Sequence, residues 1–288
     1  GGILVLSTTD LNNPGLHWKA HLKILGGVSI MDNVAGNGGG VALATAMPVY
    51  EHSPKSVMIA SGDVLIEGNT AVRDEFRINH KVVLSSFKIA GGEAGVPFGD
   101  GGGVWALDSS TVNLMDGVVV RGNHADNTGG GACVHFSASM VMNGAMFVGN
   151  NAVGDGGAVS VLLGVVGFHR ASSVVAQRAK FSHNTAGGSG GAIATDFDSG
   201  VSLQDCVLEQ NSASSGGGLA SMVDSSISLT ACHVSSNQAR KDGGGVLAAG
   251  FSTVKVMGGS IDGNLVKTDG GGVVAIDSAS MTFSSFSR

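Results

Sequence analysis

The sequence contains little proline, few aromatic residues and little charge. Only four of its 288 residues are proline, 5% are aromatic and 13% are charged. The shortage of proline excludes collagen despite 48 glycines, because the collagen triple helix needs both residues in a strict three-residue period. Low charge together with 43% hydrophobic residues also excludes a disordered chain. The composition therefore predicts an ordered fold with many tight turns.

Several sequence signals of membrane insertion, export and nucleic-acid binding are also missing. No uncharged apolar segment reaches 18 residues, so the sequence predicts no transmembrane helix. No basic-then-apolar leader opens the chain. A formal net charge of −6 without any Lys/Arg-rich run argues against nucleic acid as a partner. The final residues, MTFSSFSR, stop partway through a repeating pattern, so we expect the chain to be a fragment of a longer protein.

The three cysteines are too few for a disulfide scaffold, and no C-x-x-C pair indicates a structural zinc site. The nine histidines show no metal-ligand spacing. The sequence therefore predicts no cofactor and no catalytic residues. Cys206 and Cys232 each precede a repeated asparagine by five positions, so they should stack in adjacent units. Two buried thiols and a disulfide both remain open for this pair.

The abundant glycine falls into blocks that repeat along the chain. Gly191, Gly218, Gly245 and Gly272 end four blocks at 27-residue intervals. An asparagine precedes each block, and an apolar residue stands three positions before every asparagine. These asparagines are Asn33, Asn69, Asn123, Asn150, Asn184, Asn211, Asn237 and Asn264. Each unit reads as three short strands joined by three turns, which predicts one coil of a parallel β-solenoid. Residues 1–288 then form a single domain of about eight or nine coils.

Interruptions of the repeat mark coil irregularities and loops. Residues 72–100 are interpreted as either a degenerate coil or a long insertion. Residues 47–55 and 162–172 are predicted to be loop insertions at one turn position, and such loops are often the binding elements of a solenoid.

The stacking of coils assigns structural roles to the repeated polar and glycine residues. Equivalent residues of successive coils lie about 4.8 Å apart, so the asparagines should form a hydrogen-bonded ladder that fixes the register. Stacked glycines permit close backbone approach and positive φ. Asp242 and Asp269 should lie in neighbouring coils, which makes them weak candidates for a calcium site, although solvated turn residues are the simpler interpretation.

The strand after each glycine block is apolar on both of its alternating faces. A strand with one solvated face would alternate with polar residues, so one face is expected to be covered by a partner. The predicted interface residues are Trp105, Leu107, Ile193, Leu247, Val274 and Ile276. Further repeats, other protein chains and glycans are the partners considered, through lateral or end-to-end assembly.

The motifs GGAV at 156–159, GGAI at 190–193, FVGN at 147–150 and FSHN at 181–184 resemble the polymorphic outer membrane protein repeat. That family includes the passenger domains of chlamydial autotransporter adhesins, and similar repeats occur in large surface proteins of protists. The resemblance implies an all-β, right-handed, single-stranded parallel β-helix of the pectin-lyase-like type, located extracellularly or at the cell surface. It further implies a non-enzymatic structural or adhesive segment. A pectate-lyase-like enzyme or a carbohydrate-binding module is the alternative, because the fold class is shared.

Overall fold

The computed structural model describes residues 100–106, 111–135, 138–162 and 171–285 throughout. Of residues 1–99 it describes only the backbone of the strands between Ile3 and Ala94. Within these residues every element of regular structure is a strand, and the strands form three parallel sheets. None of the described residues form a helix that is long and apolar enough to cross a membrane.

Sheet 1 is built by the strands that follow the glycine blocks, and nine of them are described. They are Ile3–Thr8, Val41–Ala46, Val104–Ala106, Ala132–His135, Val159–Leu162, Ile193–Asp196, Leu219–Ser221, Val246–Ala248 and Val273–Ala275.

Sheet 2 follows in each coil and contains fifteen described strands. They are His21–Leu25, Val28–Met31, Ser56–Glu67, His80–Ala90, Thr111–Leu114, Val119–Arg121, Ser139–Asn143, Met146–Val148, Ser173–Gln177, Lys180–Ser182, Gly200–Gln204, Val207–Glu209, Ser226–Ser235, Thr253–Asp262 and Ser280–Ser284. In sheet 2 a coil contributes either two short strands, such as Gly200–Gln204 and Val207–Glu209, or one long strand, such as Ser226–Ser235.

Sheet 3 consists of the short strands after the repeated asparagines, and nine are described. They are Val34–Gly36, Thr70–Val72, Glu93–Ala94, His124–Ala125, Asn151–Ala152, Thr185–Ala186, Ser212–Ala213, Gln238–Ala239 and Leu265–Val266. The predicted fold class, an all-β parallel solenoid with a spacing of about 27 residues, is confirmed. From Val104–Ala106 to Val273–Ala275 the solenoid makes about six turns, and about eight or nine coils were predicted for the whole chain.

The segment 72–100 contains two strands that pair with regular strands of the solenoid. His80–Ala90 pairs in parallel with Ser56–Glu67 on one side and with Thr111–Leu114 and Val119–Arg121 on the other. Glu93–Ala94 pairs with Thr70–Val72 and with His124–Ala125. In sheet 1, however, Val41–Ala46 pairs directly with Val104–Ala106. The segment therefore adds a level to sheets 2 and 3 without adding one to sheet 1.

The core lies between the sheets and is filled by aliphatic side chains, with stacked phenylalanines on the asparagine side. The Phe147 and Phe181 rings pack with centroids 5.4 Å apart, and both side chains are fully buried. In sheet 1 the first and third residues of each strand point into this core, as Val159 and Val161 do. Burial of such side chains is the main source of folding free energy in a rod without helices.

The register corrects the alignment of the two GGA units. The Gly131 amide donates to the Ala158 carbonyl, and the Ala158 and Ala192 amides donate to the carbonyls of Ala192 and Gly218. Alanine in GGA thus occupies the place of the third glycine in GGG. As a result Ile193 pairs with Val159 and Leu219, points into the core and has 0% exposure. The prediction that Ile193 belongs to an outer interface was therefore wrong, because the GGA units had been aligned one residue out of register.

Candidate functional site

The repeated asparagines form a continuous ladder inside the solenoid. The Oδ1 atom of Asn184 accepts hydrogen bonds from the Asn150 backbone amide at 3.0 Å and from Asn150 Nδ2 at 2.9 Å. Its Nδ2 atom donates to Asn211 Oδ1 at 2.9 Å and to the Phe147 carbonyl at 3.0 Å. Both donor hydrogens and both acceptor positions are used, which is the full capacity of an amide side chain.

The same pattern extends from Asn123 to Asn264. Asn150, Asn184 and Asn237 have 0% exposure, so the ladder is shielded from water. The ladder fixes the register of neighbouring coils, because a slip by one residue would leave each buried amide unpaired. Asn33 and Asn69 lie outside the described residues.

The outer face of sheet 1 is covered by the chain's own glycine turns rather than open to a partner. Leu247 is 4% exposed, and Ala220 has 0% exposure although it points away from the core. A Cβ atom added to Gly216, whose φ is 61°, would lie 3.0 Å from the Ala220 Cβ. The turn before each strand therefore folds back over that strand's outer side. This covering explains why the strand is apolar on both faces.

The other predicted interface residues lie in different environments. Trp105 and Val274 are half-buried and Ile276 is 40% exposed. Leu107 lies outside the described residues. Of the predicted interface residues that the structure describes, Ile276 is the exposed one, and it lies at the turn between sheets 1 and 2.

That turn carries an exposed apolar ridge formed by Phe197, Val223, Phe251 and Ile276. The first three have φ angles of 48°, 34° and 61°. A left-handed backbone costs about 1–2 kcal/mol for a residue with a Cβ, and it is unusual for bulky or β-branched side chains. The turns stack on each other, because the Phe251 amide donates to the Asp277 carbonyl at 3.0 Å.

The turn aspartates do not form an evident calcium site. Asp242 and Asp269 lie at neighbouring levels of the solenoid, joined by a parallel bridge. In the described part of the chain no third His, Cys, Asp or Glu completes a ligand set with them.

Asp196 and Asp277, at the turn between sheets 1 and 2, do not converge as a pair of carboxylates for polysaccharide chemistry either. Asp196 and Asp277 lie three levels apart, since Thr195 stacks on Ser221, Ala248 and Ala275 in turn. Three levels amount to about 14 Å, which exceeds the separation that glycosidase carboxylates use. Burial raises the pKa of Asp196, and the charge of Asp155 adds to this.

A cleft of about 550 Å³ lies on the outer face of sheet 2. Its polar lining comes from Ser173, Ser202, Ser226, Ser228, Thr253 and Lys255, and its lining contains no carboxylate. The cleft therefore lacks the acid and base that polysaccharide hydrolysis would need.

Cys206 and Cys232 stack as predicted and are free thiols. The His233 amide donates to the Cys206 carbonyl at 2.9 Å, which places the two cysteines at adjacent levels. A hydrogen bond between the thiols, reinforced by burial, raises the pKa of Cys206, and the same hydrogen bond lowers the pKa of Cys232. Of the two alternatives that the sequence left open, the structure has the buried thiols.

Three residues that the sequence analysis left apart come together on the outer side of sheet 1. Potential ligand atoms of Asp100, Cys133 and His135 all lie within 4.8 Å of one another. The signal in the sequence was C-x-H within a strand, because residues two apart on a strand share a face. Asp100 directly precedes a glycine block, and its proximity to Cys133 and His135 depends on the stacking of coils.

Comparison with known proteins gives one match. Residues 179–196 match the family model of the Chlamydia polymorphic membrane protein repeat. No curated protein and no solved structure matches the chain. The matched segment includes FSHN at 181–184 and GGAI at 190–193, so it spans a ladder asparagine, a glycine turn and the following strand of sheet 1. The predicted resemblance is confirmed: the chain is a parallel β-solenoid that contains a repeat of the polymorphic membrane protein type.

Proposed function

We propose that this chain is a non-enzymatic structural segment of a cell-surface protein, in which a rigid solenoid holds contact elements along one edge. The observation that carries the proposal is the continuous buried asparagine ladder, which fixes every coil against the next. Six turns at the strand spacing correspond to about 30 Å of rod. The match to a membrane-protein repeat supports a surface location.

The contact edge of the proposed rod is the turn between sheets 1 and 2. The apolar ridge of Phe197, Val223 and Phe251 lies there in a backbone conformation that glycine or asparagine would adopt at lower cost. The sequence thus keeps exposed apolar groups at an energetic cost to the folded chain. The predicted loop 162–172 belongs to the same turn, because it joins Val159–Leu162 of sheet 1 to Ser173–Gln177 of sheet 2.

A second copy of the chain is the partner that fits this ridge best. Successive turns are about 4.8 Å apart, and a neighbouring rod presents apolar groups with the same period. Aromatic side chains are also the typical anchors of protein interfaces. Lateral pairing of rods would bury the ridge that each chain leaves exposed.

Antibody labelling of the source cells tests the surface location. Antibodies raised against the chain should label intact cells as strongly as permeabilised ones. Labelling that requires permeabilisation would refute the surface assignment and leave the description of the rod unchanged.

Sedimentation velocity tests the contact edge. The wild-type chain should associate as its concentration rises, and the double variant Phe197→Asn/Phe251→Asn should remain monomeric. Asparagine tolerates the left-handed backbone, so the variant should fold normally. The matched control is Asp198→Asn/Ser278→Asn, which changes polar residues in the turn of Phe197 and in the turn of Ile276, at φ 55° and 64°. A wild-type chain that stays monomeric, or equal association of both double variants, would refute pairing through the ridge.

A further inference from the structure

The first basis for a new site is the placement of Asp100, Cys133 and His135. Cys133 and His135 belong to the strand Ala132–His135 and leave the same face of sheet 1. Asp100 directly precedes the glycine turn of the preceding coil, where the Gly101 amide donates to the Thr128 carbonyl at 2.9 Å. One sulfur, one imidazole nitrogen and one carboxylate oxygen therefore meet from two adjacent coils, within 4.8 Å of one another.

Hydrogen bonds hold the carboxylate in place. Asp100 Oδ1 accepts from Asn127 Nδ2 at 2.7 Å, from the Thr128 amide at 3.3 Å and from Thr128 Oγ1 at 3.1 Å. The Thr128 hydroxyl also lies 3.9 Å from Cys133 Sγ, so it connects two members of the cluster. All three hydrogen bonds use the same carboxylate oxygen, and Oδ2 has none among the described residues. Outer partners of this kind are what orients ligands in metal sites.

Two of the three side chains have raised pKa values. Burial raises the pKa of Asp100. Burial also raises the pKa of the Cys133 thiol, and the negative charge of Asp100 raises it further. A bound divalent ion reverses both effects, because it favours the carboxylate and deprotonates a coordinating thiol.

An independent observation comes from the two neighbours of Cys133 in the outer column of sheet 1. Trp105 and Ser160 pair with Cys133 from either side. Trp105 Nε1 and Ser160 Oγ are both buried and have no hydrogen-bond partner among the residues that the structure describes, and Ser160 has 0% exposure. Such unpaired buried donors are rare and costly. A thiolate at Cys133, or a ligand bound beside it, would give both of them an acceptor.

We propose that Asp100, Cys133 and His135 bind one Zn²⁺ ion, with a water or an external ligand in the fourth position. Cysteine, histidine and aspartate are the usual zinc ligands, and three protein ligands leave a tetrahedral site open. Hard cations such as Ca²⁺ and Mg²⁺ prefer oxygen ligands and avoid a thiol. The bound ion links the turn before Val104–Ala106 to the strand Ala132–His135, and so it clamps two successive coils together. The site is independent of the apolar ridge and of the surface assignment.

Calorimetric titration with Zn²⁺ is the primary test. The 288-residue chain, reduced, stripped with chelator and desalted, should bind one Zn²⁺ per chain. Coordination converts the Cys133 thiol to a thiolate, so binding should release about one proton per ion. Titrations in two buffers of different ionisation enthalpy measure that proton. With Co²⁺ as the probe, a thiolate-to-metal charge-transfer band should appear in the near ultraviolet.

Matched substitutions assign the ligands. Cys133→Ser, His135→Asn and Asp100→Asn should each weaken Zn²⁺ binding by more than about 100-fold, beyond the effect of outer-shell changes. Ser160→Ala should weaken it by about tenfold. The controls are Cys206→Ser, at another fully buried cysteine, and His183→Asn, at an exposed histidine with φ 58°. Both should bind Zn²⁺ like the wild type.

Several outcomes would overturn the proposal. They are the absence of stoichiometric Zn²⁺ binding, a Co²⁺ spectrum without a thiolate band, and binding that Cys133→Ser leaves unchanged. Binding that is lost in His183→Asn would also overturn it, because surface histidines would then hold the metal. If Cys133→Ser fails to fold, the half-buried His135→Asn and Asp100→Asn variants decide the question.

Discussion

Two stacked columns of the solenoid follow the same geometry but differ in chemistry. The ladder has asparagine at every described level from Asn123 to Asn264, and each side chain is hydrogen-bonded to the next. The outer column of sheet 1 varies along the solenoid, with Trp105, Cys133, Ser160, Ala194, Ala220, Leu247 and Val274 in succession. Both columns are largely buried. The invariant asparagines are explained by the hydrogen-bonded ladder that they form. The buried Trp105 Nε1 and Ser160 Oγ of the outer column have no such partners among the described residues, so their presence requires another explanation.

The largest expected effect is the loss of a ladder rung. Asn184→Leu keeps the volume of the side chain but removes the acceptor of the Asn150 amide and Nδ2 and the side-chain donor to the Phe147 carbonyl. Asn211 Oδ1 loses one of its two bonds to Asn184 and keeps the one from the Asn184 backbone amide. Unpaired buried groups cost about 1–3 kcal/mol each, so the free energy of unfolding should fall by about 4 kcal/mol or more. Urea unfolding followed by circular dichroism measures this loss. The control is Asn151→Leu at an exposed asparagine one residue from the ladder, which should change stability by less than about 1 kcal/mol. A similar fall in the free energy of unfolding of both variants would show that a ladder asparagine contributes no more to stability than an exposed one.

The next effect concerns the glycine turn that covers the outer column. A Cβ on Gly217 would overlap the Gly244 carbonyl oxygen and lie 2.5 Å from the Gln238 carbonyl carbon. Gly217→Ala should therefore destabilise the chain by about 3 kcal/mol, at the upper end of the range for overpacking. Gly200→Ala is the control, because its nearest neighbour would be Ser226 Oγ at 3.6 Å. Thermal unfolding should separate the two variants by more than the error of the measurement, and equal melting temperatures would contradict the close stacking of the turns.

The difference between the ladder and the outer column of sheet 1 shows which parts of the structure could be predicted from the sequence. The ladder and the solenoid were predictable, because eight recurrences of Φ-x-x-N before a glycine block leave few other folds. The outer column was misread at two points. The GGA units shifted the alignment by one, which misplaced Ile193. The covering of the strand by its own turn also leaves no periodic signal, because it depends on backbone geometry at glycine.

The cluster of Asp100, Cys133 and His135 was missed for a related reason. Each residue belongs to only one coil, so an analysis that looks for recurrence discards it as variation. The C-x-H spacing was present in the sequence but is not a standard zinc signature. Only the stacking of the Asp100 turn beside the strand Ala132–His135 adds the third ligand. Irregular residues at buried levels of a regular solenoid are therefore the positions where a site is easiest to overlook.

A third prediction compares a buried hydroxyl of the outer column with a buried hydroxyl that is hydrogen-bonded. Ser160→Ala removes a buried hydroxyl that has no partner, so in the metal-free protein it should stabilise the chain by about 1 kcal/mol. Ser252→Ala is the matched control, because the Ser252 hydroxyl accepts from the Ala249 amide and donates to the Ser221 carbonyl. That control should lose about 1 kcal/mol. Urea unfolding in the presence of a chelator tests both, and a destabilising effect of Ser160→Ala would show that its hydroxyl is satisfied.

The smallest expected effect is a pH-dependent one at Asp100. Burial raises its pKa above 3.8, so the folded chain binds this proton more tightly than the unfolded chain does. The contribution of Asp100 to stability therefore falls as pH rises from 3.8 through the raised pKa, and it remains lowered at neutral pH. Asp100→Asn keeps the acceptor Oδ1 and removes the charge. In the presence of chelator this variant should be slightly more stable than the wild type at pH 7 and equal to it well below pH 3.8.

Zinc should invert this difference, because a bound cation favours the charged carboxylate and stabilises only the chain that binds it. With excess Zn²⁺ at pH 7, the wild type should therefore unfold at higher urea concentration than Asp100→Asn. The control Asp198→Asn, at an exposed aspartate of the turn between sheets 1 and 2, should show no such inversion by zinc. An Asp100→Asn variant that is less stable than the wild type even with chelator would mean that the three hydrogen bonds to Oδ1 outweigh the burial of its charge. The polar groups beside Cys133 would then be stabilised by their own hydrogen bonds, as the asparagines of the ladder are. The difference between the ladder and the outer column would no longer hold at the level of Cys133.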